Sequence, residues 1–341
     1  MKQWIIGSVT VFALASAFAC GSGGGGGTAS NASPASASSP APAKVTLLLD
    51  WTPNTNHSGI YVAKAKGWYA EVGLDLQIIE SSGTSADQIV GAGRADFGIT
   101  VAESLLPARS KGAPVVSIAA ILPSNDSSLM AVDASITRPR DLAGKKYGGY
   151  GGELERQLIT TLVTCDGGDA SKVSFVDVGN VDFIVGMDDK RFDFVWVFEG
   201  WDAIRAREVL GRKVNTIKFA DYLKCIPDWY TPLFIASEQT IKERPDVVRK
   251  FLAATSRGYD FAAKQPKESA DILTQVVPEL DKKLVGASAT YLGPKYIKSG
   301  AKWGQQDPAV WSAFEVFLRN AKLLTTQVDT SKAFTNEFLP K

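Results

Sequence analysis

"ITRPRDLAGKKYGGYGG", residues 136–152, is the point at which the chain begins its pattern a second time. Upstream, "KVTLLLD" reads as a strand, "SGIYVAKAKGW" as a helix stopped by Gly67, and "LDLQIIE", with Leu74, Leu76 and Ile78 at period two, as the next strand. "TSADQIVGAGRADFGIT" adds a short helix capped by Thr84 or Ser85 and a third strand, and "PVVSIAAIL" and "SLMAVD" follow. After the restart come the strand "KKYGGY", a helix from about Glu153 to Cys165, and the strands "VSFVDV" and "FDFVWVF". The second round closes near "DWYTPLFIAS". Strands alternating with helices give an α/β fold with mostly parallel sheets. A first unit interrupted by a second and then resumed gives two lobes joined by two crossings. The expected limits are 44–134 plus 228–341 for lobe 1 with its C-terminal helices, and 135–227 for lobe 2. An interlobe cleft collects the carboxyl ends of strands from both sides, which is where open α/β sheets bind ligands.

The remaining C-terminal part reads as helical. "RPDVVRKFLAATSRGYDFAAKQP" places Val248, Phe251, Leu252 and Tyr259 at helical spacing behind Pro245 and Asp246. Further helices are expected in "KESADILTQVV", "DKKLVGASATYL" and "PAVWSAFEVFLRNAKLL".

The N-terminus is read as a processed segment. Residues 1–19 combine a short basic start with the apolar run "WIIGSVTVFALASAF", as in a secretory signal peptide. Cys20 follows small Ala19, and residues 20–43 are rich in Gly, Ser, Ala and Pro. The expectation is a lipoprotein acylated at Cys20, with a flexible linker and attachment to the extracytoplasmic face of the cell membrane through its lipid. A plain secretory signal cut nearby is the alternative. No later apolar run reaches the length of a membrane helix. Lys plus Arg number 37 against 36 Asp plus Glu, so no electrostatic footprint points to nucleic acid. Cys165 and Cys225 either pair in an oxidising compartment or stay as two buried thiols, and their spacing matches no metal motif.

Catalytic constellations are missing. The sole histidine, His57, has no G-x-S-x-G partner, and "GGYGG" at 148–152 has neither the lysine of a P-loop nor dinucleotide-binding spacing. A single histidine argues against a hydrolytic metal site, and neither metal nor cofactor is expected. Recognition residues are present. Aromatic side chains recur just past strand ends, at Trp51, Tyr150, Phe198, Trp201, Trp229 and Tyr230, and such rings hold planar heterocycles by stacking or else fill cores. Asn54, Asn56 and His57 either read the edge of a ring or shape an Asx-type turn. Glu199, in "VFEGWD", either pairs with a ligand amino or imino group or accepts backbone donors. Glu103 and Glu153 are weaker candidates.

"LDWTPNTNHSGIYVAKAKGWYAEVGLDLQI", "GKKYGGYGG", "DFVWVFEGWD", "DWYTPLFIAS" and "KAFTNEFLP" together resemble the family of the thiamin-pyrimidine synthase and its bacterial relatives, the substrate-binding lipoproteins of ABC importers. The resemblance covers almost all of the chain beyond the linker. It implies the type II periplasmic binding-protein fold, closure of two lobes on a ligand, and as partners a permease and its ATPase, the protein itself acting as a monomer. The enzyme branch uses a pyridoxal-phosphate lysine just after the third strand and a histidine four residues on; those positions here are Thr100 and Ser104, so a synthase is disfavoured. Asn54, His57, Tyr61 and Glu199 match the family's pocket pattern, with Trp51, Tyr150, Trp201 and Tyr230 as stacking candidates. Where pyrimidine binders tend to read G-G-W-G-S-P, this chain has Gly148 to Glu153 as "GGYGGE". The lost bulk and two freed backbone amides imply a roomier cleft, and riboflavin is favoured over a formylaminopyrimidine or hydroxymethylpyrimidine precursor of thiamin.

Overall fold

The computed structural model describes residues 41–81 and 83–341, so the expected signal peptide, Cys20 and nearly all of the linker lie outside the described residues. Ten strands form two five-stranded sheets. The first contains β1 (Ala43–Leu48), β2 (Leu74–Ile79), β3 (Phe97–Thr100) and β4 (Val115–Ala120). The second is built from β5 (Ser127–Ala131), β6 (Lys146–Gly149), β7 (Ser174–Asp177), β8 (Phe194–Phe198) and β9 (Asn215–Lys218); β10 (Leu233–Ser237) returns to the first. The orders are β2-β1-β3-β10-β4 and β7-β6-β8-β5-β9. In each sheet the first three strands are parallel, and the fourth, which follows a crossing, runs antiparallel to both neighbours.

The expected strands and helices form where the periodicities put them. Along β2, Leu74 and Leu76 are buried while Asp75 and Gln77 face solvent. Gly67, at φ 74°, ends the first helical stretch in the left-handed conformation that favours glycine. The helix Glu153–Cys165 has the expected limits, and Pro245–Lys264 buries Val248, Phe251, Leu252 and Tyr259. One boundary differs. The strand Ser127–Ala131, placed in lobe 1 by the expected limit at 134, pairs with β8 and β9 of the second sheet, so the first crossing is residues 121–126. An apolar strand reads alike in either sheet, because its partners are remote in sequence.

Core packing is continuous through the return crossing. Trp229, 1% exposed, stacks on Phe314 of the helix Pro308–Asn320 at 4.8 Å and lies edge-on to Trp196 of β8 at 6.3 Å. Cys165 and Cys225 form a disulfide across a sequence separation of 60 residues, tying the end of the Glu153–Cys165 helix to the approach of the return crossing. Closing a loop of that length stabilises the fold by about 4 kcal/mol in the chain-entropy account. No helix among the described residues is long and apolar enough to cross a membrane.

A candidate ligand cleft between the lobes

The loop after β1 forms the lobe-1 wall. A short 3-10 turn, Thr55–His57, is capped by Asn54, whose Oδ1 accepts from the Asn56 amide at 2.9 Å. The Asn54 amide donates to His57 Nδ1 at 3.2 Å, and a backbone N–H only donates. His57 therefore carries its proton on Nε2 and donates it to Asp50 Oδ1 at 2.8 Å. His57 is fully buried, and Asn54 spends its own side-chain N–H on the Thr52 carbonyl at 3.0 Å. Both residues shape the turn that presents Asp50 and Trp51.

Lobe 2 supplies the opposite wall from the ends of β6 and β8. Beyond β6, Tyr150 stands 54% exposed and its hydroxyl donates to Asn180 Oδ1 at 3.1 Å. The amide of Gly152, expected to be free for a ligand, is taken by Glu155 Oε2 at 3.0 Å, and the Tyr150 amide meets the same carboxylate at 3.1 Å. The first turn of a helix attracts anions, and this one is filled by the chain's own carboxylate. Gly149 has no room for a side chain, since a Cβ there would lie 2.3 Å from the Tyr147 ring.

Beyond β8 the backbone turns into π-helical geometry over Glu199–Ala203, a rare form that is frequent at functional sites. Glu199, 2% exposed, does not line the cleft: it accepts from Ser128 Oγ at 2.9 Å and from Arg207, whose other nitrogen donates to Thr216 Oγ1 at 3.0 Å. A buried carboxylate next to a reachable guanidinium pairs with it in preference to awaiting a ligand. Trp201 and Asp202 are the residues this turn aims at the cleft. Asp202 is partly buried, and that burial pushes its carboxyl up to about 6 although Oδ2 accepts from the Phe198 amide at 3.2 Å.

These walls enclose a cavity of about 310 Å³. Six aromatic residues line it, Trp51, Tyr150, Phe183, Trp196, Phe198 and Trp201, together with Asp50, Asn54, Asn56, Asp202, Val197 and the crossing residues Thr231 and Pro232. No lysine or arginine is among the lining residues described. Asn56 Oδ1 and Thr231 Oγ1 are buried without a hydrogen-bond partner among the described residues. Among those residues too, Trp51, Tyr150 and Trp201 take part in no ring-ring pair, unlike the core tryptophans Trp229, Trp303 and Trp311.

Of the eight candidate binding residues, the cleft brings together Trp51, Asn54, Tyr150 and Trp201. His57 supports Asp50 from behind, and Glu199 is held by Arg207. Tyr61 is 6% exposed and packs with Leu273 and Val285, its phenol pushed up to about 12, first by burial and then by Glu80 and Glu279. Tyr230, 3% exposed, accepts from the Asp307 amide at 2.7 Å and lines a different cavity. Sequence reading passed over Asp50, Asp202, Phe183 and Thr231; the adjacency of Asp50 to Trp51 and of Trp201 to Asp202 was the available signal. Thr100 and Ser104 carry no amine, and Thr100 Oγ1 donates to buried Asp87 at 3.0 Å. Among the described residues no group of metal-ligating side chains occurs.

The family described as NMT1/THI5 like matches residues 54–269. The chain is 29% identical to the 4-amino-5-hydroxymethyl-2-methylpyrimidine phosphate synthase of Legionella pneumophila, over 87% of this chain and 92% of that one. It is 26% identical to the formylaminopyrimidine-binding protein of Halalkalibacterium halodurans, over 86% and 89%. The riboflavin-binding protein RibY of Chloroflexus aurantiacus is 27% identical, over 87% and 86%. Among solved structures, the periplasmic aliphatic sulphonate binding protein SsuA of Escherichia coli superposes with a TM-score of 0.66 at 15% identity, covering 86% of this chain and 97% of that one. The fold is thus the two-lobed periplasmic binding-protein fold of type II.

Proposed function

The chain belongs to the NMT1/THI5-like family, and on that premise we propose that it is the substrate-binding lipoprotein of an ABC importer, capturing a flat heteroaromatic vitamin, riboflavin ahead of a thiamin pyrimidine precursor. One observation carries this reading: a cavity with six aromatic residues and two carboxylates on its walls and no lysine or arginine. Unpaired ring faces at Trp51, Tyr150 and Trp201 suit stacking on a planar ligand. A cationless cleft disfavours a sulphonate or phosphate, so the cargo is neutral or protonated.

Riboflavin fits these terms. Its three-ring system matches a long aromatic wall, its imide N–H meets a carboxylate acceptor, and its polyol side chain supplies donors for the other. Asn56 and Thr231 line the cleft, and each has a buried side-chain oxygen with no hydrogen-bond partner among the described residues. Flavin mononucleotide, which adds only a phosphate, is excluded by charge. Closure of the lobes removes water from the ring faces and presents the lobe tips to a permease served by its ATPase. Acylation of Cys20 holds the monomer at the extracytoplasmic face of the cell membrane. No reaction is assigned, since a Schiff base needs an amine where Thr100 stands.

An aminopyrimidine is the second reading, favoured by Asp50 and Asp202 together: two carboxylates can accept from an exocyclic amine and from a protonated ring nitrogen. Tryptophan-fluorescence titration of the purified protein with riboflavin, flavin mononucleotide and the formylated aminopyrimidine tests both. Saturable quenching by riboflavin alone is expected. A response only to the pyrimidine would transfer the protein to thiamin salvage, equal response to the mononucleotide would contradict the charge argument, and silence with all three would remove the vitamin reading.

A further inference from the structure

The geometry points to a second binding site, for a small oxyanion of the phosphate or carboxylate type, in a cavity behind the two interlobe crossings. This cavity, of about 520 Å³, is larger than the cleft and shares no lining residue with it. Pro123 and Ser124 of the first crossing and Tyr230 of the second line it together with Lys298, Lys302 and Gln306. Consecutive residues of the return crossing line different cavities, Tyr230 this one and Thr231 the cleft.

Gln306 is the decisive residue. It is 2% exposed, and its Oε1 accepts from Ser117 Oγ at 2.7 Å and from Trp311 Nε1 at 3.2 Å. An indole N–H can only donate, so the amide orientation is settled and Nε2 is the end left over. That Nε2 is buried without a partner among the described residues. The two donors on Oε1 fix the side-chain amide, and Asn336 holds the backbone: the Gln306 amide donates to Asn336 Oδ1 at 3.0 Å and its carbonyl accepts from Asn336 Nδ2 at 2.7 Å.

The charged groups around the cavity are unequally occupied. Asp228 Oδ1 already accepts from the amides of Asn125 and Trp229, each at 2.9 Å, and Asp307 Oδ1 caps the Pro308–Asn320 helix through the Ala309 amide at 2.8 Å. Lys298 and Lys302 form no ion pair among the described residues. Lys298 and Lys302 are exposed and share the cavity with the carboxylates of Asp228 and Asp307, so the fixed amide donor of Gln306 and the two ammonium groups are what a compact ligand with several acceptor oxygens would bridge.

Calorimetric titration of the full protein with sodium phosphate and, separately, sodium malonate, at constant ionic strength and against a chloride control, tests the site without reference to the cleft. Saturable binding of at least one of the two is expected, and which one binds identifies the ligand class. In the Lys298→Gln/Lys302→Gln double variant the affinity should fall at least tenfold, with riboflavin quenching unaltered. Gln306→Leu should lower it further, and the exposed-lysine variant keeps the test decisive if the leucine variant does not fold. Heats no larger than those of chloride, or binding unaffected by the lysine substitutions, would overturn the proposal.

Discussion

The two ends of the cleft present the same pair of residues on opposite supports. Lobe 1 offers Asp50-Trp51 at the end of β1, and lobe 2 offers Trp201-Asp202 just after β8. Behind Asp50 stands a neutral imidazole locked into a tight 3-10 turn. Behind Trp201-Asp202 stands a buried ion pair, Glu199 with Arg207, inside a π-helical turn. Burial raises the Asp202 carboxyl to about 6. Equal chemistry at a binding surface thus needs no common scaffold, and the supports determine how each end responds to mutation and pH.

The largest effect separating the ends should come from Glu199→Ala. Removing one partner of a buried pair leaves Arg207 uncompensated, and because that arginine side chain keeps 32% exposure the loss should be about 2 to 3 kcal/mol of unfolding free energy. Urea denaturation measures it, and the affinity of the folded fraction for riboflavin should change little; a large affinity loss at unchanged stability would return Glu199 to the binding surface. Trp201→Ala should come next, weakening riboflavin binding by about 2 kcal/mol, against about 1 kcal/mol for Trp51→Ala, whose ring is 52% exposed before any ligand arrives. Equal losses would mean that closure buries both rings alike.

The Asp202 carboxyl gives a pH-dependent contrast of about 1 kcal/mol, its linkage being discounted for the partial exposure of the side chain. Its value in the folded protein, about 6, lies above the unfolded one, so the folded state holds the proton more tightly. Stability should fall as pH rises between about 4 and 6 and then level off, and Asp202→Asn should flatten that slope in thermal melts. Ligand binding runs the other way if the ionised carboxylate accepts from the ligand: roughly tenfold weakening between pH 7 and pH 5 in the native protein and little in the variant. Tyr150→Phe should be the smallest perturbation, within about 0.5 kcal/mol of stability, because its hydroxyl bonds Asn180 at the surface.

Much of the architecture was legible beforehand. The alternating Leu74, Leu76 and Ile78 announced β2, and the restart at 136–152 announced a second lobe, because local periodicity is written in adjacent residues. The strand Ser127–Ala131 lies before the expected limit at 134 yet pairs in the second sheet, and its neighbours β8 and β9 are more than sixty residues away. The candidate site residues lie in different settings. Trp51, Tyr150 and Trp201 reached the cleft, but Trp229, read by the same rule, went to the core against Phe314. The partner of Glu199 is not legible locally, because Arg207, eight residues on, is brought beside it by the π-helical segments.

By itself the sequence determined the α/β class, the doubling into two units, the family, and the absence of an amine at position 100. Those properties depend on residue identity and on spacing within one element. Which face each strand-end side chain presents was decided by the tertiary structure alone. Tyr230 and Thr231 are neighbours in the chain, yet one lines the cavity behind the crossings and the other lines the cleft. What lies beside each residue of an irregular crossing depends on packing partners far away in sequence.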